Sequence, residues 1–343
     1  MTICICGGGN LGHVSIGVLS SLPGIKVNLL TTHPERWGSG VEVIDPTGKV
    51  YHGKINKVSS DAPEVVAGAD MVLLCLPGYA ISETLGSIAP YLSPHTPVGS
   101  VVSNTGFFFF AHEHLKPSTP LFGFQRVPYI CRIIDYGHKA ELKGYKAELK
   151  VAIERTDDGQ ALAELLGRLF STPVTLLSSH YEASLSNSNP LLHPARLYDL
   201  WHDYAPGTTY EREPQFYADW TERASQLYMA MDDELQALLG KLPITPGAIM
   251  PVLDYYESHD VKSLTAKIRS ITAFQGIKAP MCPSDGGFIP DFSSRYFTED
   301  LPYGMRFIVE TARQYQVDVP TIRKVYDWGM SLITNLSPLT SHP

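Results

Sequence analysis

Residues 2–13 read Thr-Ile-Cys-Ile-Cys-Gly-Gly-Gly-Asn-Leu-Gly-His. A β-prone run opens this stretch and breaks into Gly7, Gly9 and Gly12, after which residues 14–22 have the pattern of a helix packed on that strand. A strand, glycine turn and helix in this order let backbone N–H groups approach a pyrophosphate, and the helix N-terminus adds a favourable dipole for negative charge. We therefore predict a dinucleotide site here. The expected contacts are Gly7, Gly9, Asn10, Leu11 and Gly12.

Length and composition limit the class of protein. A chain of 343 residues is too long for one ordinary core and suits two domains of about 150 residues each, with a cleft between them. The hydrophobic content of 44% and charged content of 18% are those of an ordinary globular protein, and no run of about 18 apolar residues could span a bilayer. The net charge of −8 and the absence of Lys/Arg clusters argue against a nucleic-acid partner. We expect neither nucleic acid nor membrane as a partner.

The five cysteines fit neither a disulfide framework nor a Cys-x-x-Cys metal knuckle. Cys4 and Cys6 alternate in the first predicted strand, so we interpret them as small apolar residues on one buried face. No metal site is predicted. The N-terminus lacks a charged n-region and a cleavage site, and with free thiols this indicates a reducing, cytoplasmic location.

The turn after the second predicted strand, residues 25–31, would meet the adenosine ribose of a dinucleotide. A carboxylate at this strand end takes the 2′-hydroxyl of NAD, whereas an Arg with hydroxyl neighbours accommodates the 2′-phosphate of NADP. No acid stands directly at the strand end, while Thr32 and Arg36 follow it, so we favour NADP over NAD. Glu35 leaves a ribose contact open, and a solvated surface charge is the alternative interpretation of Arg36.

A continuous apolar run over residues 71–76 ends in Pro77-Gly78. This is the pattern of a parallel strand buried on both faces, and the Pro-Gly pair marks its carboxyl edge. Ligands of open α/β sheets bind along that edge. Leu76 and Pro77 are therefore candidates for the central region of the cofactor, with a plain turn as the alternative.

Strand and helix patterns alternate through the first half of the chain. Strands are predicted at residues 41–58 with a turn at 45–48, and at 98–103, 121–125, 147–153 and 174–177, with helices at 62–68 and 160–170. Four consecutive Phe at 107–110 are interpreted as core or domain-contact residues. The alternation predicts an α/β domain with a mostly parallel, doubly wound sheet over residues 1–178.

The second half of the chain has helical periodicity. Apolar positions from Tyr217 to Leu238 are spaced by three and four, after Pro214 and before Gly240. A second stripe runs from Met305 to Tyr315, and a last helix is predicted from residue 318 to 332. We predict an all-α domain over residues 179–343, with a frayed tail at 337–343.

One histidine has an unusual setting. His193 lies between two prolines in Ser188-Asn-Pro-Leu-Leu-His-Pro194, where a loop enters a helix. Imidazole exchanges a proton near neutral pH, which a carbonyl under reduction requires of an acid/base. A structural histidine is the alternative interpretation.

A second segment, Arg295-Tyr-Phe-Thr-Glu-Asp-Leu-Pro302, precedes the predicted helix that contains Met305. Thr298 is expected to cap that helix, with Asp300 in or near its first turn, where the dipole favours an ionised carboxylate. Such a carboxylate can orient a histidine, and Arg295 can bind a substrate carboxylate through two hydrogen bonds. The alternative is an N-cap with a surface salt bridge.

These two segments resemble signature motifs of the opine dehydrogenase family, the octopine and nopaline dehydrogenases. The family has an Asn-Pro-x-x-His-Pro segment, matched at residues 189–194, and an Arg-Tyr-x-Thr-Glu-Asp-x-Pro segment, matched at 295–302. The segment Gln-Arg-Val-Pro-Tyr at 125–129 is also similar to that family. The resemblance covers residues 2–330 and implies a Rossmann-type domain followed by a helical substrate domain.

The resemblance implies reductive condensation. An amino acid's amine adds to the carbonyl of a 2-oxo acid such as pyruvate, water leaves, and the imine takes hydride from NADPH or NADH, which gives an N-(carboxyalkyl) amino acid. By the same resemblance, His193 is the acid/base, Asp300 its charged partner, and Arg295 and Asn189 bind substrate. NADP remains the favoured cofactor and NAD the alternative.

Two other functions remain open. One is another two-domain dehydrogenase of the ketopantoate reductase or glycerol-3-phosphate dehydrogenase type, although such enzymes generally rely on a lysine and no lysine here has an equally suggestive motif. The other is a non-catalytic dinucleotide sensor. A homodimer is kept as an expectation for the assembly.

Overall fold

The computed structural model describes residues 1–336, and the predicted frayed tail lies outside the described residues. The chain forms two compact units, Met1–Ser186 and a second that begins at Asn187. The domain boundary after residue 178 stays a prediction. It lies eight residues before the end of the first compact unit.

The first unit contains an α/β arrangement in chain order. Its strands are β1 (Thr2–Cys6), β2 (Lys26–Leu30), β3 (Gly40–Ile44), β4 (Val50–Ser59), β5 (Met71–Leu74), β6 (Val98–Ser100), β7 (Leu121–Phe124), β8 (Tyr129–Asp135), β9 (Lys139–Tyr145), β10 (Leu149–Glu154) and β11 (Val174–Leu176). Its helices are α1 (Asn10–Ser20), α2 (Ala62–Val66), α3 (Gly78–Ile88), α4 (Phe107–His114), α5 (Gly159–Phe170) and α6 (His180–Ser184).

These strands form one sheet in the order β11-β10-β7-β6-β5-β1-β2-β4-β3-β9-β8. Strand β1 pairs in parallel with β2 on one side and with β5 on the other, so the chain reverses its direction of travel across the sheet at β1. Open α/β sheets bind ligands at the carboxyl ends of the strands beside such a reversal. The doubly wound, mostly parallel sheet predicted from the sequence is confirmed, with antiparallel pairs at β3–β4, β7–β10 and β8–β9.

Strands β8 and β9 are absent from the sequence prediction. They pair antiparallel from Tyr129–Tyr145 to Asp135–Lys139, and β9 adds in parallel to β3. Their connection contains Gly137 at φ +81°, a conformation that glycine adopts without steric cost. This hairpin therefore lies at the edge of the sheet beyond β3, far along the sheet from the strands that flank it in sequence.

The start of the first helix differs from the prediction. Helix α1 begins at Asn10 rather than at residue 14, and the His13 N–H donates to the Gly9 carbonyl at 3.0 Å. The helix therefore begins inside the glycine motif, and the residues of the motif from Asn10 onward form its first turn.

The sheet is covered by apolar side chains on both faces, as a parallel sheet requires. Cys4 and Cys6 are buried, and so are Phe107, Phe108 and Phe110 of the four-Phe run. The interpretation of these residues as packing residues is confirmed.

The second unit is helical, as predicted, and contains in addition one small hairpin. Its helices are α7 (Asn189–Trp201), α8 (Glu222–Leu239), α9 (Val252–Tyr255), α10 (Val261–Ser270), α11 (Arg295–Thr298), α12 (Arg306–Gln314) and α13 (Pro320–Leu336). The hairpin strands are β12 (Met281–Ser284) and β13 (Gly287–Pro290).

Helix α8 is shorter at its N-terminus than the apolar spacing predicts. Thr221 caps it, with its Oγ1 accepting the Ala224 N–H at 3.0 Å. Tyr217 and Trp220 are buried but belong to the preceding loop, so their helical assignment was wrong. The reason is that burial in a packed loop happens to continue the helical spacing. The predicted end before Gly240 is confirmed.

None of the helices within residues 1–336 has both the length and the apolar composition needed to traverse a bilayer.

Candidate active site

The glycine turn is built so that two of its glycines cannot be replaced. Gly7 has φ +111°, and a Cβ there would lie 2.6 Å from the Cys75 carbonyl oxygen. A Cβ at Gly12 would lie 2.0 Å from the Gly7 oxygen. A Cβ at Gly9 would meet nothing within 4 Å, so glycine at this position leaves space that the protein itself does not use.

Two helix N-termini lie at this end of the sheet. Helix α1 follows β1 and α3 follows β5, and neither has an acidic residue in its first turn. First-turn N–H groups lack acceptors within their own helix and attract anions. Leu76 is close enough that its side chain would clash with a Cβ on Gly7, and Pro77 precedes α3. These residues fit the pyrophosphate of a dinucleotide, and the site residues predicted for it in this turn lie together.

Asn10 has a second role that the sequence does not indicate. Its Oδ1 accepts the N–H of Ile133 in β8 at 2.8 Å, so its side chain holds the hairpin. Leu11 is the next residue of α1. A cofactor contact from Asn10 is therefore expected from its backbone.

The loop after β2 carries the predicted ribose contacts. Thr32 and Arg36 are exposed, and the Arg36 guanidinium lies 4.1 Å from the ring centroid of Tyr136. Glu35, the alternative ribose ligand, is 3.4 Å from His33. Arg36 thus contacts an aromatic ring while it stays exposed, and its role at the ribose stays a prediction.

His193 lies near the start of α7, where its helix is locally altered. Pro194 has no N–H to donate to the Pro190 carbonyl, which breaks the hydrogen-bond ladder at this turn. Asn189 begins the helix and lies one turn before His193, on the same face. The ring of His193 is almost completely buried.

An unusual backbone segment positions Asp300 beside His193. A single π-helical turn, Leu301–Met305, follows Asp300, and the Met305 N–H donates to the Asp300 carbonyl at 2.7 Å. A Cβ on Gly304 would lie 2.6 Å from Pro190 Cγ, so this glycine allows the turn to approach α7. Single π turns of this kind occur often at functional sites.

The predicted cap at Thr298 is wrong. Thr298 ends the short helix α11, and its Oγ1 donates to the Ser294 carbonyl at 3.2 Å. The helix that contains the Ile308 stripe, α12, begins at Arg306, after the π turn. The extra turn separates Thr298 from that helix, whereas Asp300 directly precedes the π turn.

The structure brings three side chains together around the imidazole. His193 Nδ1 lies 2.7 Å from Asp300 Oδ2, and His193 Nε2 lies 2.8 Å from the Tyr217 hydroxyl. In the neutral ring, Nδ1–H donates to the carboxylate and the Tyr217 O–H donates to Nε2. This arrangement fixes both the orientation and the tautomer of the ring, as an acid/base requires.

Aromatic rings surround this cluster. The Tyr296 ring meets the His193 ring edge-on at 4.6 Å between centroids, and Tyr217 stacks on Phe274 at 4.0 Å. Burial, with a smaller contribution from Tyr296, raises the pKa of the Tyr217 hydroxyl well above its ordinary value, so the hydroxyl stays protonated at neutral pH.

A buried arginine positions the loop that carries Tyr217. Arg196 lies one turn after His193 on α7 and is 2% exposed. Its Nε donates to the Phe216 carbonyl at 2.9 Å, and its Nη1 donates to Asp199 at 2.6 Å. The residue directly before Tyr217 is therefore fixed to the same helix that carries His193.

Tyr217, Tyr296 and Arg196 were missed as site residues. Tyr296 could have been found, because it follows Arg295 within the segment already singled out. Tyr217 was interpreted as one position of a helical stripe, and its contact with a histidine 24 residues earlier leaves no sequence signal.

Arg295 and Asn189 are placed close to this cluster along the chain. Arg295 is exposed, directly precedes Tyr296, and takes part in no ion pair among the described residues. Its guanidinium is thus available to an anion. Their roles as substrate ligands stay predictions.

Within residues 1–336, no three His, Cys, Asp or Glu side chains are grouped so that they could hold a metal ion.

Comparison with known proteins gives the family. A family model described as NAD/NADP octopine/nopaline dehydrogenase, alpha-helical domain, matches residues 176–333, and a ketopantoate reductase (PanE/ApbA) model matches residues 3–104. The chain is 30% identical to the uncharacterized protein y4xO of Sinorhizobium fredii, over 96% of this chain and 94% of that protein. It is 27% identical to the opine dehydrogenase of Haliotis discus hannai, over 96% of this chain and 89% of that enzyme. The chain belongs to the opine dehydrogenase family.

The fold of this family member agrees with a solved relative. Octopine dehydrogenase, solved with NADH and L-arginine, superposes with a TM-score of 0.84 at 26% identity, covering 97% of this chain and 90% of that one. The chain is therefore an opine-type dehydrogenase, an oxidoreductase that acts on CH–NH donors, and it binds a nicotinamide dinucleotide. The N-terminal match to ketopantoate reductase is confined to the dinucleotide-binding part.

Proposed function

We propose that this enzyme prefers NADPH and joins an amino acid to a 2-oxo acid such as pyruvate, which yields an N-(carboxyalkyl) amino acid. The observation that carries the proposal is the His193 imidazole, bonded at Nδ1 to Asp300 and at Nε2 to Tyr217. The solved octopine dehydrogenase bound to L-arginine supports an amino acid as one substrate class.

His193 is assigned the proton transfers. The amine adds to the carbonyl carbon, the carbonyl oxygen leaves as water, and the imine is reduced by gain of a hydride at carbon and a proton from solvent at nitrogen. His193 Nε2 carries protons from the adding amine to the departing oxygen, while Asp300 stabilises the charged ring. When bound, the reduced dinucleotide supplies the hydride.

Tyr217 is assigned as a positioning residue. Its protonated hydroxyl donates to Nε2 of the neutral imidazole before substrate binds, which fixes the orientation and tautomer of the ring, and it gives way to the substrate at Nε2 during proton transfer. Two contacts keep that hydroxyl in place. Tyr217 stacks on Phe274, and Arg196 donates a hydrogen bond to the carbonyl of the adjacent Phe216.

Arg295 and Asn189 are assigned to the substrate. The exposed guanidinium of Arg295 has no carboxylate partner within residues 1–336, and a guanidinium matches a substrate carboxylate through two parallel hydrogen bonds. Asn189 lies on the His193 face of α7 and offers an amide to the same substrate.

The preference for NADPH follows from the loop after β2. Arg36 and Thr32 are exposed there, and the nearby Glu35 carboxylate lies against His33, 3.4 Å from its Nδ1. A cation with a hydroxyl neighbour suits a 2′-phosphate better than a 2′-hydroxyl.

Two expectations about the cell and the assembly accompany this function. All five cysteines are free, which supports a reducing, cytoplasmic location. A homodimer is proposed for the assembly, and sedimentation equilibrium of the purified chain measures its mass directly.

The test follows NADPH and NADH oxidation with pyruvate alone, with an amino-acid pool alone, and with both. The proposal expects oxidation only with both, and faster with NADPH. Turnover with the 2-oxo acid alone would instead indicate a hydroxy-acid dehydrogenase of the ketopantoate reductase kind. Dinucleotide binding without turnover across a broad substrate panel would indicate a sensor.

A further inference from the structure

The turn of the β8–β9 hairpin is bonded to the glycine turn. His13 Nε2 accepts the Gly137 N–H at 2.7 Å, and His13 Nδ1 lies 2.9 Å from the Gly9 carbonyl. The Nδ1 proton therefore points to Gly9, and a single buried, neutral imidazole joins the two turns. Burial lowers the pKa of His13, which favours this neutral form.

The same hairpin turn contacts the loop after β2. A Cβ on Gly137 would lie 2.0 Å from the Arg36 carbonyl oxygen, so the two backbones touch. Glycine is required at 137 both for this approach and for its φ of +81°. The Glu42 N–H also donates to the His138 carbonyl at 2.8 Å. The position of the Arg36 backbone thus depends on the hairpin.

The hairpin also holds the Arg36 side chain. The guanidinium carbon lies 4.1 Å from the Tyr136 ring centroid, within cation–π distance. Arg36 is exposed and takes part in no ion pair among residues 1–336, and the carboxylate of the adjacent Glu35 lies 3.4 Å from His33 Nδ1. Its positive charge is therefore ordered by a ring but not neutralised by a carboxylate.

We propose that the β8–β9 turn is a specificity element for the 2′-phosphate of the dinucleotide, with Tyr136 as the residue that preorders Arg36. The ring covers one face of the guanidinium and leaves the N–H groups at its edge accessible. These N–H groups bind a phosphate through two parallel hydrogen bonds. Ordering this side chain in advance lowers the entropic cost of binding the phosphate. This inference rests on the assignment of the adenosine end to Thr32 and Arg36 under the proposed function.

Three aromatic rings fill the space between the glycine turn and the loop after β2. Gly8 faces Trp37 and the Tyr136 hydroxyl, both of which would be about 2.8–2.9 Å from a Cβ at Gly8. His13 packs against both rings, at 4.3 Å from Trp37 and 5.0 Å from Tyr136 between centroids. The three rings fill the space between the two loops and fix the distance between them.

Calorimetric titration with 2′,5′-ADP and 5′-AMP tests this inference without turnover. The two probes differ only in the 2′-phosphate. We expect the wild type to prefer 2′,5′-ADP, Arg36→Ala to lose most of that preference, and Tyr136→Leu to lower 2′,5′-ADP affinity about two- to fivefold with 5′-AMP affinity unchanged. Tyr136→Phe, which keeps the ring, should bind as the wild type does, and so should Tyr91→Leu, which removes an exposed tyrosine of the same unit.

The outcomes separate this inference from the proposals on which it rests. If Arg36→Ala lowers the preference and Tyr136→Leu does not, or if Tyr136→Leu weakens both probes equally, the role of Tyr136 is overturned while the NADPH assignment stands. If the wild type does not discriminate between the probes, the NADPH assignment and this inference both fail. Opine synthesis is assayed separately with NADH as the hydride donor. A wild type that does not discriminate between the two probes therefore leaves the proposed reaction itself standing.

Discussion

His193 Nδ1 lies 2.7 Å from Asp300 Oδ2, although 107 residues separate them in the chain. One side chain comes from the proline-interrupted start of α7 and the other from the residue before a π-helical turn. The packing of Gly304 on Pro190 allows these two segments to meet. The pair is therefore a product of the tertiary structure of the second unit, and its chemistry depends on that packing.

Replacement of the carboxylate tests the pair. In Asp300→Asn the side chain keeps its shape but no longer stabilises a charged imidazole. We expect kcat to fall by up to about 10⁴-fold, the loss that the same substitution of the triad aspartate causes in serine proteases. NADPH affinity, measured by calorimetry, should stay unchanged. A kcat within threefold of wild type would contradict the role of Asp300.

The Tyr217 hydroxyl should contribute a smaller factor. Tyr217→Phe keeps the ring stacked on Phe274 and removes the hydrogen bonds of its hydroxyl to His193 Nε2 and to Tyr296. We expect kcat to fall about five- to tenfold, with a larger solvent isotope effect on kcat and little change in Tm. Tyr204→Phe, at a partly buried tyrosine of the same unit that packs on Phe292 outside this cluster, is the control. Equal effects of both substitutions would indicate a purely structural role for Tyr217.

Arg295 is expected to act on substrate binding. In Arg295→Ala, the loss of a charged hydrogen bond to a substrate carboxylate should raise the KM for the 2-oxo acid by about 10- to 100-fold. Arg313→Ala removes an exposed arginine of α12 and should leave every KM unchanged. Steady-state kinetics with each substrate varied in turn gives the answer. Unchanged KM values in Arg295→Ala would remove this residue from the substrate site.

A carboxylate in the first unit makes stability depend on pH. Burial of Glu154 would raise its pKa, but hydrogen bonds from His112 and His180 outweigh burial and lower the pKa to about 2. Because the folded pKa lies below the unfolded value of about 4.3, the stabilisation is present above pH ~4.3 and is lost as the pH falls towards 2.

Urea unfolding as a function of pH tests this sign. Glu154→Gln should be about 2 kcal/mol less stable than the wild type at pH 6, with the difference shrinking towards zero near pH 2. Glu164→Gln, on the exposed face of α5, should give a curve parallel to that of the wild type. A difference for Glu154→Gln that is constant across this pH range would exclude its carboxylate as the cause.

The sequence was most informative where local rules operate. The strand, glycine turn and helix at β1 and α1 are dictated by short-range geometry, and the pairing of β1 with β5 follows from a continuous apolar run. His193 and Asp300, which the structure brings together, were singled out because they lie in two compact motifs, while the role of Arg295 stays a prediction. Local patterns of this kind need no knowledge of the rest of the chain.

What the sequence did not reveal depends on distant contacts. The β8–β9 hairpin was missed although Ala140 and Leu142 alternate with polar residues around Gly137, because its place beside β3 is set by pairing across nearly 100 residues. Tyr217 was assigned to a helix because burial in a loop imitated helical spacing. The cap predicted at Thr298 failed because a π turn, which has no sequence signature, intervenes before α12.

The central claim is that the enzyme reduces an imine formed from two organic substrates. The direct measurement uses NADPH carrying deuterium at the transferred position, pyruvate and an amino-acid pool, and locates the label by mass spectrometry. We predict deuterium in a secondary amine that contains both substrates, and none in that product with His193→Gln. Deuterium in lactate, with no labelled secondary amine, would contradict the claim.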